Sequence, residues 1–448
     1  VDFPHLQAFF DHRTLVLMGH WVHAVAMRLY RAFIRLAAAA GHAKAGGWMA
    51  MRDGGLDALR NAESRLSKGQ QWMWFHCASV GEFEQARPVM EAWRTLHPDD
   101  AFLLTFYSPS GWAAFAKRQP LWWRPTDHVA ALPLDVSSSV RAFLSAAGGS
   151  ARLRGLLFAK YDVWPVLVHA LQEMNVPVGL FAGHVLPGRW PFRWGGAYQR
   201  SAWRTFRGLW VQNEQSVQTL AGFGIAAEAA GDPRFDRVLQ AVSEHEPDSE
   251  LVAWIGGRPC AVIGSAWEAE VAAALDAWAP GACMIVVPHE WSSASIQAQS
   301  TQCGSKNATP VVWSEHRAAD ARADLPPGDV LLVDAMGELL DLYAVADVAV
   351  VGGGFGQGVH NTLEPAAHGA GVLVGPRVGR FAEVAALQAA GALRVCSTAR
   401  ELSEAIASAL ANRERSEASG RAARAFSLQH AGAGQRIAQG WGDALDLA

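Results

Sequence analysis

The chain has 448 residues, of which 50% are hydrophobic and 18% charged, and its net charge is −4. That length exceeds one ordinary core and makes two domains the expectation. The composition excludes large-scale disorder, and the charge gives no general attraction to nucleic acid. Five cysteines are scattered at 77, 260, 283, 303 and 396 with no C-x-x-C pair or Cys/His cluster. Neither a structural metal nor a cofactor is therefore expected, and the thiols suit a reducing compartment.

Residues 12–52 contain no Asp or Glu but carry Arg13, Arg28, Arg31, Arg35, Lys44 and Arg52. Arg28, Arg31 and Arg35 are three and four apart and share one helix face. Leu29, Phe33, Ile34 and Leu36 fill other faces, and Trp21 and Tyr30 suit an interface. The apolar run 15–27 is too short to span a bilayer, which takes roughly 20 residues, and no small-residue cleavage site follows it closely. Segment 1–45 is expected to be an amphipathic helix on an anionic membrane surface. The alternative is a helix packed on the protein with a solvated basic stripe.

Strands and helices alternate from there on. Strands are predicted at 71–78, 101–107, 154–159, 176–182 and 208–212, with helices at 83–96, from 109 and at 164–174. GDPRFD at 231–236 reads as a link between halves. The second half repeats the pattern, with strands at 260–265, 284–288, 330–333, 348–352 and 372–375. Its helices are predicted at 268–278, 338–345 and 362–369, and an Ala-rich helical stretch starts at 399. The alternation gives an α/β fold of two Rossmann-like domains, 46–236 and 237–448, facing a cleft. The last helices have the option of packing back on the first domain. Ligands of such sheets sit beyond the carboxyl ends of strands.

Three strand-to-helix junctions carry chemistry. In HCASVGE at 76–82, Glu82 starts a helix whose N-terminus favours the ionised form that a general base needs; an ordinary helix-start acid is the alternative. A nucleophilic Ser79 is a rival, but a G-x-S-x-G elbow needs Gly where Cys77 stands. In KYDVWP at 160–165, Lys160 and Asp162 are placed to reach the cleft, with Pro165 in the first helical turn. The run VGGGFGQGVHNTLEP at 351–365 lets backbone approach a phosphate, and Glu364 is placed to accept from ribose hydroxyls. Its spacing matches neither G-x-G-x-x-G nor a P-loop. Pro288-His289-Glu290 and Met336-Gly337-Glu338 occupy similar strand-end positions.

Together these residues resemble the bacterial 3-deoxy-D-manno-octulosonic acid (Kdo) transferases. The matching elements are SVGE at 79–82, KYDVWP at 160–165, GDPRFD at 231–236, PHE at 288–290, DAMGELLDLYAVADVAVVGGGF at 334–355 and HNTLEPAAHG at 360–369, in family order. The resemblance implies the two-domain GT-B architecture. It also implies inverting, metal-independent transfer of Kdo from CMP-Kdo to a lipid A precursor at the cytoplasmic face of the inner membrane. It makes Glu82 the general base and Arg234 the cation that stabilises the departing charge, with Lys160 as a possible assistant. It assigns Pro288, His289, Glu290, Met336, Gly337, Glu338, Asn361, Thr362, Leu363 and Glu364 to CMP. Two departures stand out: Lys160 replaces the first Glu of the family's Glu-Thr-Glu-Leu-Trp-Pro, and His289-Glu290 replaces Arg-His. The rival readings are a GT-B enzyme using another nucleotide sugar and a non-catalytic membrane-surface binding protein.

Overall fold

Runs such as Trp72–Cys77 and Ala101–Phe106 are buried at every position rather than at alternate ones. Strands covered by helices on both faces of a parallel sheet read this way. The computed structural model describes residues 12–160, 162–189, 191–192, 196–319, 325–379 and 381–446, without the side chains of 12–17, 317–319 and 382. Residues 1–11 of the expected membrane segment, the Arg13 side chain and Tyr161 of KYDVWP lie outside the described residues. The chain forms two compact units, Val1–Arg237 with Gly432–Ala448, and Val238–Ala431.

The first unit holds β1 (Trp72–Cys77), β2 (Ala101–Phe106), β3 (His128–Ala131), β4 (Leu153–Ala159), β5 (Val178–Gly183), β6 (Gly208–Val211) and β7 (Glu228–Ala229). Their order is β3-β2-β1-β4-β5-β6-β7, and neighbours run parallel. The second unit holds β8 (Cys260–Ala266), β9 (Cys283–Pro288), β10 (Pro310–Val312), β11 (Val330–Leu332), β12 (Val348–Val351), β13 (Gly371–Val374) and β14 (Leu393–Val395). Its order is β10-β11-β9-β8-β12-β13-β14, again parallel. Two Rossmann-like sheets of seven strands make the expected GT-B class of α/β fold. In each sheet the winding reverses beside the first strand, between β1 and β4 and between β8 and β12. Such switch points open the crevices in which α/β proteins bind ligands.

Four strands escape the sequence pattern: β3, β7, β10 and β14. They are the four sheet edges, two to four residues long and only partly buried. An edge strand lacks the continuous apolar run that marks its central neighbours. The helix after β1 also starts three residues earlier than predicted, at Val80, because Ser79 is extended and forms the N-cap.

The helix Ala433–Asp446 belongs to the first unit, where it packs along Val80–Leu96. Gly434 makes this approach possible, since a Cβ there would lie 2.9 Å from Pro88. Trp441 is fully buried and donates to Met73 Sδ beneath β1. Asp236 accepts from the amides of Gly432 and Gly434. One carboxylate thus ties the point where the chain leaves this unit to the point where it returns.

The first helix, His12–Ala39, has two apolar faces. Met27, Tyr30 and Ile34 pack inward with Trp48 and Leu134, and His23 meets Asp135 at 2.7 Å. Opposite them Met18, Trp21, Val22, Leu29, Phe33 and Leu36 are all more than half exposed, Leu36 to 71%. Among the described residues no helix is long and apolar enough to cross a membrane.

Candidate functional site

The switch point of the first sheet brings together the ends of β1 and β4. Glu82 is the third residue of the helix Val80–Leu96, is 9% exposed, and accepts from the Ala78 amide. Burial holds its carboxyl above the ordinary range, and the negative charge of Asp162 pushes the same way. His76, the Ala78 amide and Lys160 oppose that rise. Lys160 takes a left-handed backbone (φ 63°), sparsely populated for a residue with a Cβ, where the chain turns off β4.

His76 is fully buried on β1, with Nε2 3.2 Å from Asp162 and Nδ1 2.9 Å from Thr105 Oγ1. Trp164 Nε1 donates to the same Asp162 oxygen at 3.2 Å. The sequence around His76 does not reveal this link, because Asp162 lies 86 positions away. The available signal was its position, one strand end away from an acid at another strand end.

Arg234 starts the helix Arg234–Glu244 and is held by Asp232, which accepts from its Nε at 2.9 Å and pairs with its terminal nitrogen at 2.7 Å. Asp232 also accepts from Gln85, at 2.7 Å, and from Gln212, at 3.0 Å. Gln85 lies one turn beyond Glu82, so the Asp232 that holds Arg234 is also bonded to the helix that carries Glu82. The guanidinium is therefore anchored and partly neutralised.

In the second unit the glycine-rich run after β12 works differently from the phosphate cradle expected. The Gly352 amide donates to Gly264 O at 2.9 Å, and those of Gly356 and Gly358 donate to Gly353 O at 3.0 and 2.9 Å. The Gly353 amide donates to Glu270 Oε1 at 3.0 Å, and that of Phe355 reaches the same oxygen at 3.5 Å. Five amides of the loop are thus satisfied internally. The glycines answer instead to close backbone packing: a Cβ on Gly352 would sit 2.1 Å from Ser265 O, and one on Gly354 would sit 2.4 Å from Gly375 N. Glu270, fully buried in the helix Glu268–Ala277, also accepts from the Trp267 amide at 3.2 Å. Sequence reasoning did not single it out.

Of the residues expected to hold a nucleotide, Pro288 ends β9 in the core and Glu290 is exposed. The His289 ring lies between those of Trp267 and His360, with centroids 4.7 Å away on either side. Burial, then the neighbouring His289, holds the His360 imidazole below its usual range. Asn361 Nδ2 donates to Glu364 Oε1 at 2.9 Å, and its Oδ1 accepts from the Leu363 amide at 3.0 Å. Thr362 and Leu363 are each 1% exposed, so their side chains face the core. Met336 is 85% exposed and Gly337 has φ 93°; Glu338 is the N-cap of the helix Leu339–Tyr343 and makes no side-chain capping bond there. Among the described residues no side-chain hydrogen bond joins this group to His289 or Asn361.

A family model described as 3-deoxy-D-manno-octulosonic-acid transferase (kdotransferase) matches residues 56–237. The 3-deoxy-D-manno-octulosonic acid transferase of Bordetella pertussis is 30% identical over 394 residues, 81% of this chain and 85% of its own. The chain belongs to the Kdo transferase family. The Haemophilus influenzae Kdo transferase is 26% identical over 381 residues, covering 82% of this chain and 86% of its own. Among solved structures, a UDP-GlcNAc 2-epimerase from Neisseria meningitidis bound to UDP-GlcNAc has a TM-score of 0.58. It is 11% identical and covers 83% of this chain and 98% of its own, a likeness of fold alone. As a Kdo transferase the protein is a glycosyltransferase.

Proposed function

We propose that this Kdo transferase moves Kdo from CMP-Kdo to a lipid A precursor, with inversion and without a metal, in lipopolysaccharide synthesis. Glu82 removes the proton from the acceptor hydroxyl. The oxygen forms a bond to the anomeric carbon of Kdo as the bond from that carbon to the phosphate oxygen of CMP breaks. CMP leaves with the electron pair, and Glu82 passes its proton to solvent. Arg234, positioned by Asp232, and Lys160 offset the charge that grows on the phosphate.

The observation that carries this reading is the state of Glu82: buried, with a single described hydrogen bond, beside Asp162, and held above the ordinary carboxylate range. Such a group is a stronger base than an exposed glutamate. In the second unit Pro288–Glu290, Met336–Glu338 and Asn361–Glu364 hold CMP. Asn361 and Glu364 present acceptors to the ribose, and the Trp267–His289–His360 stack offers an aromatic surface. Thr362 and Leu363 serve by fixing the turn that carries Asn361.

The exposed apolar stripe of the first helix, bordered by Arg28, Arg31 and Arg35, seats the enzyme on the anionic cytoplasmic face of the inner membrane. The decisive test is incubation with CMP-Kdo and a tetraacylated lipid A precursor, followed by mass measurement of the lipid. A gain of Kdo is expected. An unchanged lipid, with CMP-Kdo intact, would refute the reading.

A further inference from the structure

Asp162 supplies the negative charge that acts on Glu82, yet it lies on a turn, between the end of β4 and the helix that Pro165 begins. Its side chain is 32% exposed. An aspartate in such a place has water and the nearby Lys160 as alternative partners. Among the described residues its carboxylate has two hydrogen-bond donors, His76 Nε2 and Trp164 Nε1, each 3.2 Å from Oδ2. An ionised carboxylate only accepts, so the His76 hydrogen that faces it is on Nε2.

Both donors are themselves fixed. His76 is fully buried, and its partner across the sheet is Thr105. His76 Nδ1 lies 2.9 Å from Thr105 Oγ1 and 3.1 Å from Thr105 O, and Thr105 Oγ1 accepts from Trp74 Nε1 at 2.9 Å. The imidazole meets Phe158 of β4 edge-on, with centroids 5.6 Å apart. Trp164 stacks on Tyr107, with centroids 4.8 Å apart and planes 25° apart. An apolar residue at position 76 would fill the core without the desolvation that an imidazole costs. The imidazole adds one rigid hydrogen bond, reaching from the buried strand to the half-exposed carboxylate of the turn.

We propose that His76 is a positioning residue for the transfer reaction: through its Nε2–H it holds Asp162, and so keeps that anion beside the base Glu82. His76 touches no substrate and takes no proton from one. Asp162 raises the proton affinity of the Glu82 carboxyl, second only to burial, while His76, the Ala78 amide and Lys160 lower it. Without His76 the Asp162 carboxylate keeps Trp164 alone and turns toward water and Lys160, and Glu82 becomes a weaker base. The inference rests on the reading of Glu82 as the base and names the group that tunes it.

The test uses the full chain with CMP-Kdo and a tetraacylated lipid A precursor, and titration calorimetry for CMP affinity. His76→Asn keeps a polar group at the Nδ1 position, toward Thr105, and offers Asp162 nothing. His76→Gln carries its amide nitrogen to the Nε2 position and keeps a donor for Asp162. The kcat should fall about tenfold or more in His76→Asn and stay within about threefold of the parent in His76→Gln, with CMP affinity unchanged in both. On an Asp162→Asn background, His76→Asn should cost less than about twofold further, because residues that act through one another are not additive. Equal losses in the Asn and Gln variants, or losses that multiply across the cycle, overturn the proposal, since His76 would then serve packing alone. If His76→Asn fails to fold, the parent carries the test. In spectra of 15N-labelled histidine, the resonance absent from His76→Gln should show a hydrogen on Nε2 and should shift in Asp162→Asn. A resonance without that hydrogen, or one unmoved by Asp162→Asn, overturns the proposal. A parent that never consumes CMP-Kdo takes the transfer reading down with this one, whereas a working parent with multiplying losses removes this one alone.

Discussion

Removing the Glu270 carboxylate should loosen the second unit more than any surface change and should act through the loop it holds. Its side chain accepts two well-formed amide bonds, from Gly353 at 3.0 Å and Trp267 at 3.2 Å, and a long one from Phe355 at 3.5 Å. The residue is 0% exposed, so Glu270→Ala leaves at least two buried donors without an acceptor. Each costs about 1–3 kcal/mol, and the lost methylenes add about 1 kcal/mol. Release of a buried charge from its desolvation offsets part of this, so the expected loss is about 3–5 kcal/mol. Glu270→Gln keeps one acceptor but turns two N–H donors toward other donors, and should lose about 1–3 kcal/mol. Urea denaturation followed by circular dichroism measures both, and CMP affinity should fall with stability because Gly352–Gly358 shapes the end of β12. A Glu270→Ala protein within about 1 kcal/mol of the parent would refute the reasoning, since water would then be satisfying the freed amides.

Glu82→Gln should abolish transfer while leaving CMP binding nearly intact; turnover at the parent rate would remove Glu82 from the mechanism. The folded protein holds the Glu82 carboxyl above its unfolded range, so it binds that proton more tightly than the unfolded chain does. Stability contributed at this site therefore falls as pH rises from the ordinary carboxylate range through the raised one. Denaturation of Glu82→Gln across acidic to neutral pH should show a flatter profile than the parent, and a steeper one contradicts the burial argument. Asp162→Asn removes the anion that raises Glu82, so the acid limb of kcat/KM should move to lower pH; a limb moving upward would show that Asp162 acts otherwise. Replacing Leu29 and Phe33 with Asp on the exposed stripe should cut flotation with anionic vesicles several-fold without unfolding the protein, because both are 66% exposed.

Central strands were legible because burial on both faces forces an unbroken apolar run, as in WMWFHC and AFLLTF. The edges were not, because β7 and β14 meet solvent and carry residues such as Glu228 and Arg394. The motif residues at strand ends were also legible, since Glu82, Lys160 and His289 all flank the sheets' carboxyl edges. What local sequence concealed was the use to which each group is put. The glycines of 352–354 read as an anion cradle, yet their geometry answers to Ser265 and Gly375, residues far away in sequence that only the fold brings near. His76 and Asp162, 86 positions apart, meet for the same reason.

The two carboxylates Glu82 and Glu270 make that distinction sharp. Each is the third residue of the helix that follows the first strand of its sheet, and each sits where the winding reverses. By position alone they are interchangeable. The neighbouring strand end decides their fates: β12 is followed by glycine amides that turn toward Glu270, while β4 is followed by Lys160 and Asp162, which supply no amide to Glu82. The Glu270 carboxylate uses its acceptor capacity on the amides that hold the loop. Glu82 accepts a single amide, and burial, then the neighbouring Asp162, holds it above the ordinary carboxylate range. The same structural slot thus builds a clamp in the second unit and a base in the first, and the residues after the adjacent strand, rather than the glutamate itself, carry the information about which it is.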